Sequence, residues 1–298
     1  MIPSRILAYT KLTFSVVVWG ASFIATKVAL KDVSPATVIW LRFGIGVMIL
    51  GGASAFQGQF ELPKRKEIPY LFLLGFIGIA FHQWLQSTAL VTAQASTTAW
   101  IVATTPIFMA LLGRFALKEI LTKTQILGIV LATAGVFVVV SEGDFTSLRL
   151  GQFGTPGDIL ILISAANWAI FSALSKHGLK EQPANWVLFY VMGFGWLLLS
   201  LLFFFGNGLS EITQLSIGGW SAVIFLGIAC SGFAYIFWYD GLKSIPSSQV
   251  GSFLFLEPLV AVVVASIVLG EPILVVSLLG GITILLGVWL VNSNKRFK

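Results

Sequence analysis

Charged residues are scarce in this sequence. They make up 10% of its 298 residues, whereas a soluble globular domain carries about 25%. Hydrophobic residues make up 57%, and the mean hydropathy is +0.95. The chain therefore lacks the polar side chains that would cover a water-exposed surface, so most of its surface must face lipid.

Several kinds of chemistry are also missing. The single cysteine, Cys230, excludes an internal disulfide, and the sequence contains neither a GxxxxGK[ST] phosphate loop nor a GxSxG nucleophile motif. Its two histidines lie in different helices, and its His, Cys and acidic residues show no metal-binding spacing. The positive charges fall in short loops without interleaved aromatics. We therefore expect no enzyme activity, cofactor, metal or nucleic-acid partner.

Continuous apolar runs dominate what is present. A membrane-spanning helix needs roughly 20 apolar residues, whereas the strands of a membrane barrel alternate apolar and polar residues. The runs here do not alternate, as residues 16–24 and 126–140 show. They predict an all-α integral membrane protein with ten transmembrane helices, at about 10–30, 34–55, 68–88, 95–116, 122–142, 156–177, 184–206, 217–239, 246–269 and 272–292.

The basic residues of the loops predict the orientation, because Lys and Arg favour the cytoplasmic side. If both termini are cytoplasmic, fourteen basic residues lie in cytoplasmic segments, and only Lys27, Lys31 and Arg149 lie outside. This bias predicts a multi-pass protein of the cytoplasmic membrane with both termini in the cytoplasm.

The sequence also repeats itself. Glycine, proline and glutamate residues recur in one register at an offset of 152, and a second motif recurs at an offset of 149. The pairs include Pro106 and Pro258, Glu119 and Glu271, Gly75 and Gly227, Gly128 and Gly280, Gly135 and Gly287, Trp19 and Trp168, and Lys27 and Lys176. They predict two five-helix halves, 1–145 and 156–298, with helices 5 and 10 in close approach at the glycines. Because five is odd, the second half is inverted, as is typical of secondary transporters.

These motifs resemble those of a known family. WGASFIATKVAL, the LRF of helix 2, TTPIFMALLGRFALKE with the following GIVLATAG, and LGEPILVVSLLGGITILLG are similar to the EamA-type transporters of the drug/metabolite transporter superfamily. The resemblance covers nearly the whole chain. It implies ten helices in two inverted repeats and the transport, usually outward, of small metabolites such as amino acids.

Polar residues at membrane depth are the candidate substrate-binding groups, because an ionisable side chain there costs about 2.5–3.5 kcal/mol. The candidates are Trp19, His82, Gln83, Gln86, Trp100, Thr104, Asn167, Trp168 and Glu257. His82 and Gln86 share one helix face. Such side chains either line an aqueous path or hydrogen-bond to a neighbouring helix, and the mid-span tryptophans either line a cavity or pack in the core.

Two prolines predict helix breaks. Pro106 in helix 4 and Pro258 in helix 9 lack an N–H, and each is expected to free the carbonyl one turn back, at Val102 and Leu254. Interrupted helices at mid-depth are tolerated where they line a cavity or pack against protein. We expect helices 4 and 9 to line the path, with Glu257 either titrating to couple transport to protons or only hydrogen-bonding to substrate.

Three basic residues are candidates for gating. Arg42 lies roughly 12 Å into helix 2, at 1.5 Å per residue, where it could extend its charge outward or pair with a carboxylate. The resemblance implies an arginine at this position and favours a structural ion pair or a gate over substrate binding. Lys27 and Lys176 end equivalent helices at opposite faces of the membrane. They are interpreted as anchors or gates.

Together these features predict a secondary carrier that exports a small metabolite such as an amino acid by alternating access. A cavity with Trp, Thr and Gln and few charges suits an uncharged or zwitterionic solute. An intramembrane enzyme, with Glu257 and His82 as acid and base, and a channel or receptor stay open as alternatives. The expected partners are the substrate and the lipid bilayer, with protons as a candidate coupling ion. A monomer and a homodimer both stay open.

Overall fold

The computed structural model describes residues 4–56, 61–116, 121–142, 154–244 and 253–293. Within these ranges the chain is almost entirely helical and has no strand. Eight helices are long and apolar enough to cross a membrane, and two shorter apolar helices, Leu254–Leu269 and Val275–Val291, complete the set. The protein is an all-α membrane protein of about ten helices, as its continuous apolar runs predict.

The helices are numbered α1 to α10 along the chain. They comprise α1 Ser4–Ala29, α2 Pro35–Phe56, α3 Ile68–Ala89, α4 Ala95–Val102 with Thr105–Ala116, α5 Lys123–Ser141, α6 Pro156–Glu181, α7 Ala184–Phe205, α8 Ile217–Phe225 with Leu226–Phe233 and Ala234–Ser244, α9 Leu254–Leu269, and α10 Val275–Ser293. The bounds agree with those predicted to within about three residues, except that α1 begins about six residues earlier and α6 and α8 end about four and five residues later. Residues 246–252 of the predicted ninth span lie outside the described residues.

Two helices contain a π-helical segment. It occupies Phe76–Phe81 in α3 and Leu226–Phe233 in α8. The predicted repeat pairs Gly75, just before the first segment, with Gly227 inside the second. A π-helical turn disrupts the regular i→i−4 hydrogen bonds and is frequent at functional sites. The two segments therefore place irregular backbone at matching points of the two halves.

The first helix of each predicted half packs against helices of the other half. The first helix of one half, α1, packs against α8 and α9, and the first helix of the other, α6, packs against α3 and α4. The remaining helices pair as α2 with α7 and α5 with α10. The centre of the bundle is consequently built from both halves.

Close backbone contact joins α5 to α10. A Cβ atom added at Gly128 would lie 2.5 Å from the carbonyl oxygen of Gly287, and one at Gly135 would lie 2.7 Å from that of Gly280. The predicted glycine contact is confirmed. Since 128 lies beside 287 and 135 beside 280, the two helices run antiparallel, as equivalent helices do when one half is inverted.

Candidate functional site

Arg42 on α2 reaches into the contact between the two halves. Its Nε donates to the Ser231 hydroxyl at 3.2 Å, and its Nη1 donates to the Gln83 side-chain oxygen at 3.4 Å. Ser231 lies within the π-helical segment of α8, and Gln83 follows that of α3. Tyr235 is buried and follows Ser231 by four residues, so the two side chains share one face of α8. We call Arg42, Gln83, Ser231 and Tyr235 the polar centre.

Side chains from α1 and α6 donate to carbonyls of the π-helical segments. Asn167 Nδ2 donates to the Ile77 carbonyl at 2.8 Å, and Trp19 Nε1 donates to the Cys230 carbonyl at 3.3 Å. The two donors lie at closely matching positions, because the repeat pairs Trp19 with Trp168, the neighbour of Asn167. Asn167 thus has the partner that an amide at this depth needs.

The candidate aromatic side chains lie on both sides of the polar centre. The Trp19 and Tyr235 ring centroids are 5.4 Å apart, and those of His82 and Trp168 are 4.7 Å apart. His82 is buried, and its Nδ1 has no hydrogen-bond partner among the described residues. Gln86, on the same face of α3, is half-buried. Five candidates therefore lie on α3 or on α6 packed against it, and Trp19 lies beside Tyr235 on the α8 side. The five are His82, Gln83, Gln86, Asn167 and Trp168.

Trp100 and Thr104 lie in a different environment. Trp100 is 1% exposed, and a Cβ atom added at Gly281 of α10 would lie 2.5 Å from its ring. It belongs to an apolar cluster that includes Val136 and Ile284. The Thr104 hydroxyl donates to the Ile101 carbonyl of its own helix at 2.6 Å. Trp100 therefore packs toward the α5–α10 side of the bundle, while Thr104 bonds within its own helix.

The expectation that prolines free two carbonyls is wrong. The Thr105 hydroxyl donates to the Val102 carbonyl at 2.7 Å, where α4 is interrupted. The Glu257 N–H donates to the Leu254 carbonyl within a 3₁₀ turn. A hydroxyl beside the proline replaces the missing N–H in α4. In α9 the tighter turn replaces it, because Pro258 lies in the first turn of the α-helical part.

Glu257 begins the α-helical part of α9, which runs over Glu257–Leu269. Its carbonyl oxygen lies against α1, 2.7 Å from where a Cβ atom of Gly20 would be. The side chain is half-buried and makes no hydrogen bond or ion pair within the described part of the chain. Gly20 follows Trp19, whose ring packs against Tyr235 of the polar centre. Glu257 therefore lies beside the polar centre.

Lys27 joins three segments at one end of the bundle. Its Nζ donates to the Ala93 carbonyl at 2.6 Å and lies 3.5 Å from the Glu271 carboxylate. Glu271 in turn accepts bonds from the Ala95 N–H at 2.9 Å and from the Ser96 N–H and hydroxyl at 3.1 and 2.6 Å. Burial alone would raise the pKa of Glu271, but these bonds and Lys27 hold it below the ordinary value. The carboxylate thus caps the first turn of α4.

The opposite end is joined by a different ion pair. Lys11 on α1 donates to Asp240 on α8 at 2.6 Å. The side chain of Lys176 lies outside the described residues, so only its position in α6 is known. Within the described residues, no group of three His, Cys, Asp or Glu side chains could hold a metal ion.

Sequence reasoning missed Ser231, Tyr235 and Glu271 as contributors. The repeat offset of 152 would have matched Tyr235 to Gln83, and it did pair Glu271 with Glu119. Neither match reveals a contact partner. The ion pair expected for Arg42 is not found, since no carboxylate of the described residues lies within salt-bridge distance of it.

Known proteins resemble this chain in sequence and in fold. The sequence profile of the EamA-like transporter family matches residues 7–141 and 155–293. The "Uncharacterized transporter YyaM" of Bacillus subtilis is 28% identical over 270 residues, covering 90% of this chain and 88% of that one. The "Probable terminal-alkyne amino-acid exporter" of Streptantibioticus cattleyicolor is 26% identical over 284 residues, covering 95% and 92%.

A solved crystal structure aligns with a TM-score of 0.62 at 20% identity, covering 96% of this chain and 95% of the other. At that identity the likeness concerns the fold alone. The two profile matches together extend over most of the sequence, and they include the helices that carry the polar centre. The chain belongs to the EamA-like transporter family.

Proposed function

We propose that the protein is a secondary carrier that exports a small metabolite, such as an amino acid, across the cytoplasmic membrane by alternating access. The observation that carries the proposal is the polar centre, where Arg42 bonds to groups beside the π-helical segments of both halves. Polar side chains at the junction of antiparallel repeats are where such carriers hold their substrates. The relative from Streptantibioticus cattleyicolor, named an amino-acid exporter, supports the substrate class.

The two ends of the bundle suit a rocking motion. Lys27 and Glu271 link α1 to the α9–α10 connection at one end, and Lys11 and Asp240 link α1 to α8 at the other. In the proposed mechanism each link breaks when its end opens, so that the substrate reaches the centre from one side at a time. Lys27 and Glu271 thereby gate one side.

A counterflow experiment tests carrier function. Proteoliposomes preloaded with unlabelled solute are given the same radiolabelled solute outside, over a panel of amino acids and small drugs. A carrier accumulates label transiently because inward and outward movements share one site. An enzyme or receptor gives no such overshoot, and a channel equilibrates without one, so absence of overshoot for every solute of the panel contradicts the proposal.

Glu257 is the proposed coupling group if protons drive transport. The variant Glu257→Gln keeps the shape of the side chain but cannot titrate. At saturating substrate it is expected to retain exchange and to lose accumulation driven by a proton gradient. Accumulation that follows the gradient as in the wild type contradicts the coupling role.

The proposed orientation places both termini in the cytoplasm. In a Cys230→Ala background, single cysteines at Lys64, between α2 and α3, and at Ser210, between α7 and α8, test it. Both positions are exposed. An impermeant thiol reagent added outside cells is expected to label the cysteine at 210 and not the one at 64. The reverse pattern contradicts the orientation, and labelling of both contradicts the topology.

A further inference from the structure

Arg42 is a buried cation with neutral partners. The residue is 6% exposed, and its guanidinium contacts Ser231, Gln83 and the Phe43 ring, whose centroid is 4.9 Å from Cζ. Within the described residues no carboxylate pairs with it. A buried charge is stable when an opposite charge compensates it, and Nη2 makes no hydrogen bond among these residues. The guanidinium therefore keeps a donor, Nη2, from which an anionic group could accept a hydrogen bond.

Glu257 is the complementary case. Its carboxylate has no hydrogen-bond donor and no cation within the described part of the chain, although it lies where α9 passes α1. It occupies the first turn of the α-helical part of α9, where the helix dipole favours a negative charge. When it is ionised, this carboxylate lacks a cation within the described residues.

Tyr235 connects the two charges in space. It follows Ser231, the hydrogen-bond partner of Arg42, by one helical turn, and Arg42 and Glu257 do not pair with each other. The Tyr235 ring packs against Trp19, which is followed in sequence by Gly20, the residue that contacts the Glu257 carbonyl. A cation and an anion thus flank one aromatic side chain without neutralising one another.

We propose that Arg42 and Glu257 bind opposite ends of a zwitterionic substrate, with the guanidinium taking its carboxylate and the Glu257 carboxylate taking its ammonium group. A planar guanidinium matches a carboxylate with two parallel hydrogen bonds. The inference rests on the proposed carrier function and goes further, because it assigns each charge of the substrate to one residue. Trp19 and Tyr235 contact the atoms between the charges.

This arrangement predicts strict rejection of solutes with one charge. An acid without an amine leaves Glu257 unpaired, and an amine without an acid leaves Arg42 unpaired. A site built to bond a polar group rejects an analogue lacking it by a large factor. We expect discrimination of at least about 100-fold for either omission.

The experiment uses two matched sets of probes in proteoliposomes. The first is L-phenylalanine, hydrocinnamate and phenethylamine, and the second is L-leucine, isocaproate and isoamylamine. Within each set the carbon skeleton is shared and only the charged groups differ. Counterflow of each radiolabelled amino acid is measured against increasing concentrations of the other two compounds, for the wild type and for Arg42→Lys, Arg42→Gln and Glu257→Gln.

The expected result is a crossed change of specificity. The wild type exchanges at least one of the two amino acids and is inhibited at least about 100-fold more weakly by the matched acid and amine. In Arg42→Gln the inhibition by the amine, relative to that by the amino acid, strengthens at least tenfold, while the relative inhibition by the acid does not. In Glu257→Gln the relative inhibition by the acid strengthens and that by the amine does not. Arg42→Lys, which keeps the charge, retains the wild-type order. Size-exclusion profiles identify variants that fail to fold. If Arg42→Gln is one of them, the single variants Arg42→Lys and Glu257→Gln decide whether the site is specific for both charges.

Other outcomes overturn the inference. Equal inhibition by the acid, the amine and the amino acid excludes a two-charge site, and so does an unchanged order in Arg42→Gln and Glu257→Gln. If the wild type exchanges other solutes of the wider panel but neither amino acid, the carrier function stands and the zwitterion site is wrong. If it exchanges no solute at all, the carrier function itself is wrong.

Discussion

The α5–α10 pair and the polar centre hold helices together in lipid by different kinds of contact. In the pair, glycines at 128, 135, 280 and 287 let the two backbones touch, and both helices stay regular. At the polar centre, α3 and α8 are irregular, and side chains of α1, α2 and α6 bond to them. Close van der Waals contact leaves no alternative arrangement, whereas side-chain hydrogen bonds can exchange partners. The comparison indicates a fixed scaffold beside a centre able to rearrange.

The largest effect is expected from filling the glycine contact. Gly135→Leu places a side chain where even a Cβ atom would meet the Gly280 carbonyl oxygen at 2.7 Å. Overpacking a core typically costs about 1–3 kcal/mol and occasionally more. The cost here should exceed that range, because backbone atoms rather than flexible side chains would have to move. We expect at least a tenfold loss of monodisperse protein by size-exclusion chromatography. Gly52→Leu in α2, where no atom lies within 4 Å of the added Cβ, is the control and should purify normally. Equal yields would show that the pair is not tightly packed.

Two tryptophans on the two sides of this comparison should behave differently. Trp100, 1% exposed and packed on Gly281, belongs to the scaffold side, so Trp100→Ala should lower stability by about 3–5 kcal/mol. Trp168, whose ring centroid lies 4.7 Å from that of His82 with the planes tilted by 36°, lies at the centre. Trp168→Ala should fold normally and lower substrate affinity roughly two- to tenfold. Thermal unfolding in detergent and counterflow measure the two effects. If the two variants lost thermal stability and substrate affinity to the same extent, the proposed difference between a scaffold side and a centre would be wrong.

A smaller effect is expected from removing a bond to a π-helical segment. Asn167→Leu deletes the donor to the Ile77 carbonyl, and hydrogen bonds between membrane helices average about 0.6 kcal/mol. Stability should therefore fall little, while the exchange rate falls clearly, since α6 no longer holds the irregular turn of α3. Thr133→Val is the control, because Thr133 donates to a carbonyl of its own regular helix, α5. An exchange rate as high as that of the control would exclude a role for the bond.

A comparably small effect on stability concerns Glu271, which joins the two regions by capping α4 just before α10 begins. Its pKa is held below the ordinary value, so its stabilising bonds are fully present above the unfolded-state pKa of a glutamate. They are lost as the pH falls through the lower, folded-state value. At pH 7 the free energy of unfolding of the wild type should exceed that of Glu271→Gln by about 1 kcal/mol, a value typical of a helix cap. The wild type should therefore unfold at a higher temperature. The difference should shrink on acidification. A difference that stays constant down to pH 3 would show that this carboxylate does not stabilise the fold.

Much of the architecture could be predicted because lipid imposes simple rules. Apolar runs of fixed length gave the helices, and the glycines at 128, 135, 280 and 287 gave the α5–α10 contact. Both depend on residues that act alone or at a regular spacing. The fate of the Val102 and Leu254 carbonyls could not be predicted, because it depended on a nearby hydroxyl and on where α9 changes from a 3₁₀ turn to an α-helix.

The site was predicted less completely. Arg42, His82, Gln83, Asn167 and Glu257 stand out in the sequence because polar groups are costly in lipid, and that cost depends on the residue itself. Their partners do not stand out, since Ser231 and Tyr235 are ordinary residues of an apolar helix.

The sequence by itself determined that this is a helical membrane protein of two related halves, since hydrophobic length and repeat register are local properties of the chain. Only the tertiary structure decided which polar side chains meet. Arg42 faces Gln83 and Ser231, and Trp100 turns toward Gly281, because α2 packs between two irregular helices and α4 packs against α10. Contacts between residues that are 41 or 189 positions apart depend on how whole helices pack, and no single segment of sequence carries that information.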